Sequence, residues 1–140
     1  MRVRIMISDG RFKINGRRLK SLIGKVLAGE SAGSKILNIV YCTDKLIGDL
    51  NDRFLNKRGT TDVLAFGLED TENIEFLGEV YVNLQQARRQ AYQNDLNYGE
   101  EVGRLTVHGI LHLLGYGDGN KESRRKMWFR QEGYLQKWKK

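Results

Sequence analysis

The stretch ILNIVY at Ile36–Tyr41, followed by CTDKLIGDLNDRF up to Phe54, decides the fold of this chain. The first six residues are almost continuously apolar, which predicts a buried strand. Thr43 and Asp44 are residue types that cap the N-termini of helices. The apolar residues that follow share one side of a helix: Leu46, Ile47, Leu50 and Phe54. A buried strand that leads into an amphipathic helix is therefore predicted here.

The same order of strand and helix is predicted upstream. Val3, Ile5 and Ile7 alternate with the residues between them, which is the period of a strand with one buried face. Helical spacing follows in a segment that ends at Gly29. The apolar residues of that helix are Leu19, Leu22, Ile23, Val26 and Leu27.

Two short apolar segments, Val63–Phe66 and Leu77–Val82, predict a pair of hairpin strands on either side of an acidic stretch. Asn83 is suited to cap a helix that runs through Tyr92. Asn94–Gly99 is then a polar turn.

A longer helix is predicted from about Glu100 to Leu114, where Gly115 ends it. A last, basic helix is predicted from roughly Glu122 to Trp138. Its aromatic residues are interpreted as core, with base stacking as the alternative. The predicted packing stripe consists of Met127, Trp128, Leu135 and Trp138.

Composition restricts the class of protein. A length of 140 residues with 40% hydrophobic content suits one domain, predicted as residues 1–140. Because no run of ~18 apolar residues and no signal-peptide block is present, we expect neither a membrane-spanning nor a secreted protein but a cytoplasmic one. A single cysteine, Cys42, excludes an internal disulfide and a thiolate zinc cluster, so any metal site must use His, Asp and Glu.

The charge of the chain indicates a class of partner. Subtracting 17 acidic side chains from 24 basic ones gives a net charge of +7. Such an excess on a small domain favours a polyanion such as nucleic acid, and a basic protein without such a partner is the alternative.

The stretch VHGILHLLGYGD at Val107–Asp118 contains both histidines of the chain, His108 and His112. Residues four apart lie one above the other on a helix, so both imidazoles can bind one metal ion. Gly115 can turn the chain out of the helix and let Asp118 return as a third ligand. The pattern HxxxHxxGxxD has the ligand spacing of the extended zincin motif and predicts a metal site with one open position.

Two structural alternatives stay open: the histidines could be packed side chains, and Asp118 could be a turn residue. Gly109 occupies the position of the general-base glutamate of zincin proteases, which argues against peptide hydrolysis. A three-ligand metal on a basic protein instead favours phosphodiester hydrolysis. Arg104 lies one turn before His108 and could hold a phosphate oxygen, with a solvent-facing arginine as the alternative.

These residues resemble the YbeY endoribonucleases, also called rRNA maturation factors, whose signature is HGxLHLxGYDH. The corresponding residues, His108–Asp118, are HGILHLLGYGD. The family block LNxxYRxxxxxTDVLSF resembles Leu50–Leu55 together with Thr61–Phe66, and the block GDIxI resembles Gly78–Val82. The three blocks occur in the right order over about half of the chain.

The resemblance implies a small α+β fold, in which a mixed sheet of about four strands packs with about five helices. It also implies one zinc ion, or another divalent metal, and cleavage of single-stranded RNA in ribosome biogenesis, especially at the 3′ end of small-subunit ribosomal RNA. The implied partners are single-stranded RNA and small-subunit rRNA or the ribosome, without a membrane.

By position in the motif, His108 and His112 match the first two zinc ligands, and Asp118 stands where the family has its third histidine. Aspartate can bind zinc, but its charge makes bound water less acidic and favours harder metals. Leu55 aligns with the family's usual arginine and cannot contact phosphate. The basic residues that could replace that arginine are Lys57, Arg58, Arg53 and Arg104.

The resemblance also places Glu79 and Asp62 near the cleft, and both are candidate catalytic groups beside Arg104. Their structural alternatives are that Glu79 covers a strand edge and that Asp62 caps a turn. The basic residues that we expect to contact RNA are Lys57, Arg58, Arg124 and Arg125.

The sequence therefore predicts a metal-dependent endoribonuclease. Its chief rival is a non-catalytic RNA- or ribosome-binding assembly factor in which the metal only connects helix to loop. A metal-dependent hydrolase of another substrate is the third hypothesis.

Overall fold

The computed structural model describes residues 2–56, 58–67 and 75–139, and within these ranges it contains four strands and five helices. In chain order they are β1 (Arg2–Ile7), α1 (Gly16–Gly29), β2 (Ile36–Cys42), α2 (Asp44–Phe54), β3 (Val63–Gly67), β4 (Phe76–Asn83), α3 (Leu84–Gln93), α4 (Tyr98–Leu113) and α5 (Lys121–Lys139). The predicted α+β class is confirmed. None of the helices in these ranges is both long and apolar enough to cross a membrane.

The four strands form one mixed sheet in the order β1-β2-β4-β3. β2 is parallel to both β1 and β4, whereas β3 runs antiparallel to β4. The predicted pairing of β3 with β4 is confirmed, with Val63 opposite Val82 and Gly67 opposite Gly78. Residues 68–74, which include most of the acidic stretch between these strands, lie outside the described residues.

Burial on both faces of the sheet explains the continuous apolar run of β2. Ile39 and Tyr41 belong to the main core, which lies between the sheet and α1, α4 and α5. Val40 and Cys42 point to the other face and pack with Ile47 of α2. Successive side chains of a strand alternate between faces, so most positions of a strand covered on both sides are apolar. The polar residue of β2, Asn38, is only partly buried.

Two glycines let α4 pack closely against its neighbours. A Cβ on Gly103 would stand 2.6 Å from Cζ3 of Trp138 on α5, and one on Gly109 would stand 2.5 Å from Cγ1 of Val80 on β4. Real Cβ atoms do not approach other atoms so closely. The C-terminal half of α4 therefore lies directly on the sheet, and this contact positions the two histidines.

The ends of α4 are set by an asparagine and a glycine. The side chain of Asn97 accepts a hydrogen bond from the N–H of Glu100 at 3.0 Å, so the helix begins at Tyr98, two residues before the predicted start. Gly115 has a φ of +101° and follows the end of the helix, as predicted.

The predicted packing stripe of α5 is wrong at one position. Met127, Leu135 and Trp138 are buried as predicted, whereas Trp128 is 57% exposed. The residue that completes the buried stripe is Gln131. Trp128 follows Met127 directly and is turned by about 100° from it around the helix axis, away from the centre of the stripe.

Candidate functional site

A cleft of about 480 Å³ opens where the C-terminal half of α4 meets β3 and the segment between α2 and β3. Its lining includes His108 and His112 of α4, and Asp118 from the loop after α4. Arg58 and Asp62, which precede β3, also line it. We call this space the histidine cleft. It contains five of the side chains that the sequence singles out as functional.

The helix brings the two imidazole rings together at the edge of its contact with the sheet. The ring centroids of His108 and His112 are 5.2 Å apart, and the ring planes meet at 83°. Between them Gly109 packs against Val80 and Val63, where no larger side chain fits without a shift of its neighbours. The close packing explains why this position carries glycine, and it leaves no place for the glutamate of a zincin protease.

The loop after α4 returns Asp118 to the second histidine. The left-handed φ of Gly115 turns the chain, and the N–H of Tyr116 donates to the carbonyl oxygen of Leu111 at 3.0 Å. Oδ2 of Asp118 then lies 3.3 Å from Nε2 of His112. The Asp118 side chain is 60% exposed, so the pair is accessible from solvent.

A glutamine from α5 holds His108 in one tautomer. Nδ1 of His108 lies 2.8 Å from Oε1 of Gln131, and Nε2 of Gln131 donates to Oε2 of Glu132 at 3.1 Å. Because the amide nitrogen is bound to a carboxylate, the amide oxygen faces the ring and can only accept, so Nδ1 carries the hydrogen. No described residue binds Nε2 of His108, which therefore keeps a free lone pair. Metal-binding histidines are commonly oriented in this way through their second nitrogen.

Arg104 does not line the histidine cleft. Its guanidinium donates to Oε1 of Glu101 at 2.7 Å and to the two carboxylate oxygens of Glu132 at 2.9 and 3.0 Å. The hydrogen bonds to Glu132 and Glu101 outweigh partial burial and raise the pKa of Arg104 above its ordinary value. The structure therefore places this arginine between two carboxylates instead of at a phosphate position, and it joins α4 to α5 next to Gln131.

Not all of the acidic and basic residues that the sequence singles out lie at the histidine cleft. Asp62 lines the cleft, whereas Glu79 of β4 does not and instead accepts a hydrogen bond from the hydroxyl of Tyr81 at 3.3 Å. Arg124 donates to the backbone carbonyl of Asp118 at 3.2 Å, which places the start of α5 beside the cleft. The next residue, Arg125, is exposed on the same helix.

The position that the motif resemblance aligns with an arginine is apolar and reaches the cleft. Leu55 is part of the lining and is 39% exposed. Of its possible replacements, Arg58 also lines the cleft, Arg53 is exposed outside the lining, and Lys57 lies outside the described residues. Arg58 is therefore the basic side chain that the described structure brings into the cleft itself.

Two buried polar residues support the cleft although the sequence alone did not single out their roles. Asn51, 4% exposed, donates from Nδ2 to the carbonyl oxygen of Gly59 at 3.1 Å and so holds the segment that contains Arg58. Gln131 is 6% exposed and orients His108. The available signals were the place of Asn51 in the LN motif and the place of Gln131 on the apolar side of α5.

Within the described residues, no three His, Cys, Asp or Glu side chains stand close enough together to hold a metal ion. The donor types nevertheless suit zinc, which takes imidazole nitrogen and carboxylate oxygen. Nε2 of His112 and Oδ2 of Asp118 are 3.3 Å apart. Two ligand atoms on one tetrahedral zinc ion are separated by a similar distance, about 3.4 Å. The free Nε2 of His108 is available as the third donor. The residues therefore fit a divalent metal by type and tautomer, although the three side chains are not assembled into one site.

The sequence is similar to bacterial proteins named Endoribonuclease YbeY. The protein from Chloroherpeton thalassium is 31% identical over 118 residues, which cover 84% of this chain and 82% of that protein. The protein from Chlorobium phaeobacteroides is 33% identical over 119 residues, covering 85% of this chain and 82% of that protein. For Carboxydothermus hydrogenoformans the identity is 36% over 106 residues, with coverage of 76% and 74%.

The fold is also shared with a solved structure. The solution structure of TM1509 from Thermotoga maritima matches with a TM-score of 0.70 at 25% sequence identity, covering 97% of this chain and 88% of that one. The sequence model of the family Endoribonuclease YbeY matches residues 4–139. Agreement in sequence and in fold along nearly the whole chain therefore shows that this chain belongs to the YbeY family.

Proposed function

We propose that the protein is an endoribonuclease that cleaves single-stranded RNA in the histidine cleft. It would use one divalent metal ion, zinc in the first place, bound by His108, His112 and Asp118. The observation that carries this proposal is the 3.3 Å pairing of His112 with Asp118 beside a His108 whose Nε2 is free. The relatives described above, which are named as endoribonucleases, support the same activity.

The side chains of the cleft supply the remaining chemistry. A divalent ion held by His108, His112 and Asp118 would act as a Lewis acid toward a phosphoryl oxygen. Asp62 is the candidate proton acceptor because its carboxylate lines the cleft, and Arg58 is the candidate partner of a phosphate oxygen. Glu79 is the weaker acidic candidate because it lies outside the lining. Arg104 acts through Glu132 and Gln131 as a positioning residue.

The proposed substrate is the precursor of small-subunit ribosomal RNA, cut close to its 3′ end in the cytoplasm. This step is the one that the family resemblance implies. The net charge of +7 and the position of Arg124 beside the cleft support a polyanionic substrate.

A second function is favoured by Leu55. Its apolar side chain stands in the cleft where the family usually has an arginine, and a leucine cannot stabilise the charge of a phosphate. A protein with this change could bind RNA or the ribosomal subunit and serve in assembly without cutting.

Turnover separates the two functions. We would incubate the purified full chain with small-subunit precursor RNA, with and without a chelator, and restore zinc or manganese afterwards. Discrete cuts that require metal would support the nuclease, whereas tight binding without cuts would establish the assembly factor. His112→Ala should lose both the metal and the cuts, while the exposed Gln93→Ala on α3 should keep both. Full cleavage by metal-free His112→Ala would refute the proposed site.

A further inference from the structure

The helix α5 exposes two adjacent aromatic side chains. Trp128 is 57% and Phe129 is 65% exposed, and their ring centroids are 5.6 Å apart in an edge-to-face arrangement. The other tryptophan, Trp138, is 8% exposed and donates from Nε1 to the carbonyl oxygen of Arg18 at 3.0 Å. Trp138 therefore contributes to the core, whereas folding does not account for the large apolar surface of Trp128 and Phe129.

The contacts of α5 place Trp128 on the side of the helix that faces the histidine cleft. Arg124 reaches the backbone of Asp118 at 3.2 Å, and Gln131 reaches His108 at 2.8 Å. Trp128 lies four residues after Arg124 and three before Gln131. Residues at these spacings are neighbours on one helix face. Along the surface of α5, Trp128 therefore lies between the two residues through which the helix contacts the cleft residues.

The start of α5 is rich in positive charge. The first half of α5 carries five basic residues and one acidic residue: Lys121, Arg124, Arg125, Lys126 and Arg130, with Glu122. Two of these residues lie on the other side of the helix: Arg130 pairs with Glu30 at 3.0 Å, and Nζ of Lys126 lies 6.0 Å from the ring centroid of Tyr116. Lys121 and Arg125 are exposed and form no ion pair with any described residue, so their charges face solvent. Arg125 lies three residues before Trp128, which makes the two neighbours on the helix surface. An exposed aromatic pair among unpaired cations fits a polyanion whose units present flat rings.

We propose that Trp128, supported by Phe129, is a stacking platform for a base of single-stranded RNA, whose phosphates are held by Arg124 and Arg125. Stacking needs a base with a free face, and the bases of a single strand can be splayed out to offer one. A duplex keeps its bases inside the stack. The platform would therefore select single strands and lead them toward the cleft. This proposal deepens the proposed function and rests on it for the nature of the bound chain.

Binding is measured apart from cleavage. The probe is a fluorescein-labelled single strand of about 12 nucleotides, with 2′-O-methyl groups to suppress cutting, titrated with the full chain. Trp128→Ala should weaken binding by about 5- to 100-fold, and Trp128→Tyr should restore most of it, because an aromatic ring alone supplies the stacking. Binding of the probe should quench the tryptophan fluorescence of the wild type. In Trp128→Phe the remaining Trp138 is buried, so this quenching should disappear.

Salt dependence distinguishes stacking from charge. Trp128→Ala should lower the affinity at every salt concentration without changing the slope of log K against log salt, whereas Arg125→Gln should reduce that slope by about 0.7. Tyr92→Ala is the matched control, because Tyr92 is 89% exposed on α3, which contributes no residue to the cleft lining.

Three results would overturn the platform. The first is that Trp128→Ala binds the probe within about twofold of the wild type, and the second is that the substitution weakens binding of the matching duplex as much as binding of the single strand. The third is that Trp128→Ala abolishes self-association of the chain while RNA binding is unchanged. Failure of the proposed function gives a different result. If natural precursor RNA is not cut but the probe binds through Trp128, the nuclease proposal fails and the platform stands. If precursor is cut equally well by Trp128→Ala, the platform fails and the nuclease stands.

Discussion

Nδ1 of His108 donates a hydrogen bond to the side-chain oxygen of Gln131, 2.8 Å away and 23 residues later in the chain. The amide of Gln131 is oriented by Glu132, whose carboxylate in turn accepts two hydrogen bonds from Arg104. These hydrogen bonds connect α4 and α5, and no described residue binds Nε2 of His108. A candidate metal ligand is thus oriented by residues that do not line the cleft themselves.

Gln131→Met should weaken metal binding by roughly 10- to 100-fold, because it removes the acceptor that orients His108. The measurement is competition for zinc against a chromophoric chelator, with circular dichroism to verify the fold. Gln136→Met, exposed on the same helix, is the control and should bind zinc like the wild type. Unchanged affinity in a folded Gln131→Met protein would mean that the hydrogen bond has no part in the site.

Arg104→Met should lower the free energy of unfolding by about 2–4 kcal/mol at pH 7, because it leaves two largely buried carboxylates without their cation. Burial raises the pKa of Glu132, but the hydrogen bonds from Arg104 and Gln131 outweigh it and lower the pKa below its ordinary value. Without Arg104 the effect of burial dominates, so the stability lost in the variant should diminish as the pH falls and Glu132 takes up a proton. Urea denaturation at several pH values measures both effects.

Adding Glu132→Gln to Arg104→Met should restore part of the lost stability, because it removes one of the unpaired charges. An Arg104→Met protein as stable as the wild type that had lost only RNA cleavage would contradict this account and support a phosphate contact instead.

Gly109→Ala should destabilise the fold by about 1–3 kcal/mol, because the new Cβ would stand 2.5 Å from Cγ1 of Val80 and 3.1 Å from Cγ2 of Val63. Gly133→Ala on α5 is the control, since beyond the surrounding turns of its own helix no described atom lies within 4 Å of its Cβ position. There the better helix propensity of alanine should stabilise the protein by up to about 1 kcal/mol. Thermal unfolding compares the two, and equal effects would mean that α4 does not pack on the sheet as described.

Glu30→Gln should reduce stability at pH 7 by roughly 1–3 kcal/mol. Burial raises the pKa of Glu30, but hydrogen bonds from the hydroxyls of Tyr116 and Tyr134, together with Arg130, outweigh it and lower the pKa below its ordinary value. A group with a lowered pKa in the folded state stabilises the protein above its unfolded pKa, and this contribution is lost as the pH falls through the folded pKa.

The difference between the wild type and Glu30→Gln should therefore be complete at pH 7 and narrow below about pH 4. Denaturation curves across this range test it. Asp52→Asn, exposed on α2, should change the stability by less than about 0.5 kcal/mol. A difference that stays constant down to acid pH would show that the charge of Glu30 has no part in the effect.

Much of the fold could be predicted because the strands and helices follow from the spacing of apolar residues along short segments of the chain. The apolar run of β2, the alternation in β1 and the helical spacing of α1 depend on neighbours within about ten residues. The sequence predicts the start of α4 two residues late, because asparagine is as common in turns as at helix N-caps and Asn97 follows other turn residues. The sequence also does not predict the exposure of Trp128. An apolar residue at the margin of a buried helix stripe can face either the core or solvent, and its residue type does not decide which.

The sequence by itself determined the spacing of His108 and His112, the glycine turn at Gly115 and the family of the chain, since each depends on residue types at short, constant separations. The tertiary structure alone decided the strand order β1-β2-β4-β3, the partner of His108 on α5 and the diversion of Arg104 from the cleft to two carboxylates. The physical reason is that hydrogen-bond and ion-pair partners are chosen by which helix faces pack together. That choice depends on the shape and burial of the whole core, and no local period contains it.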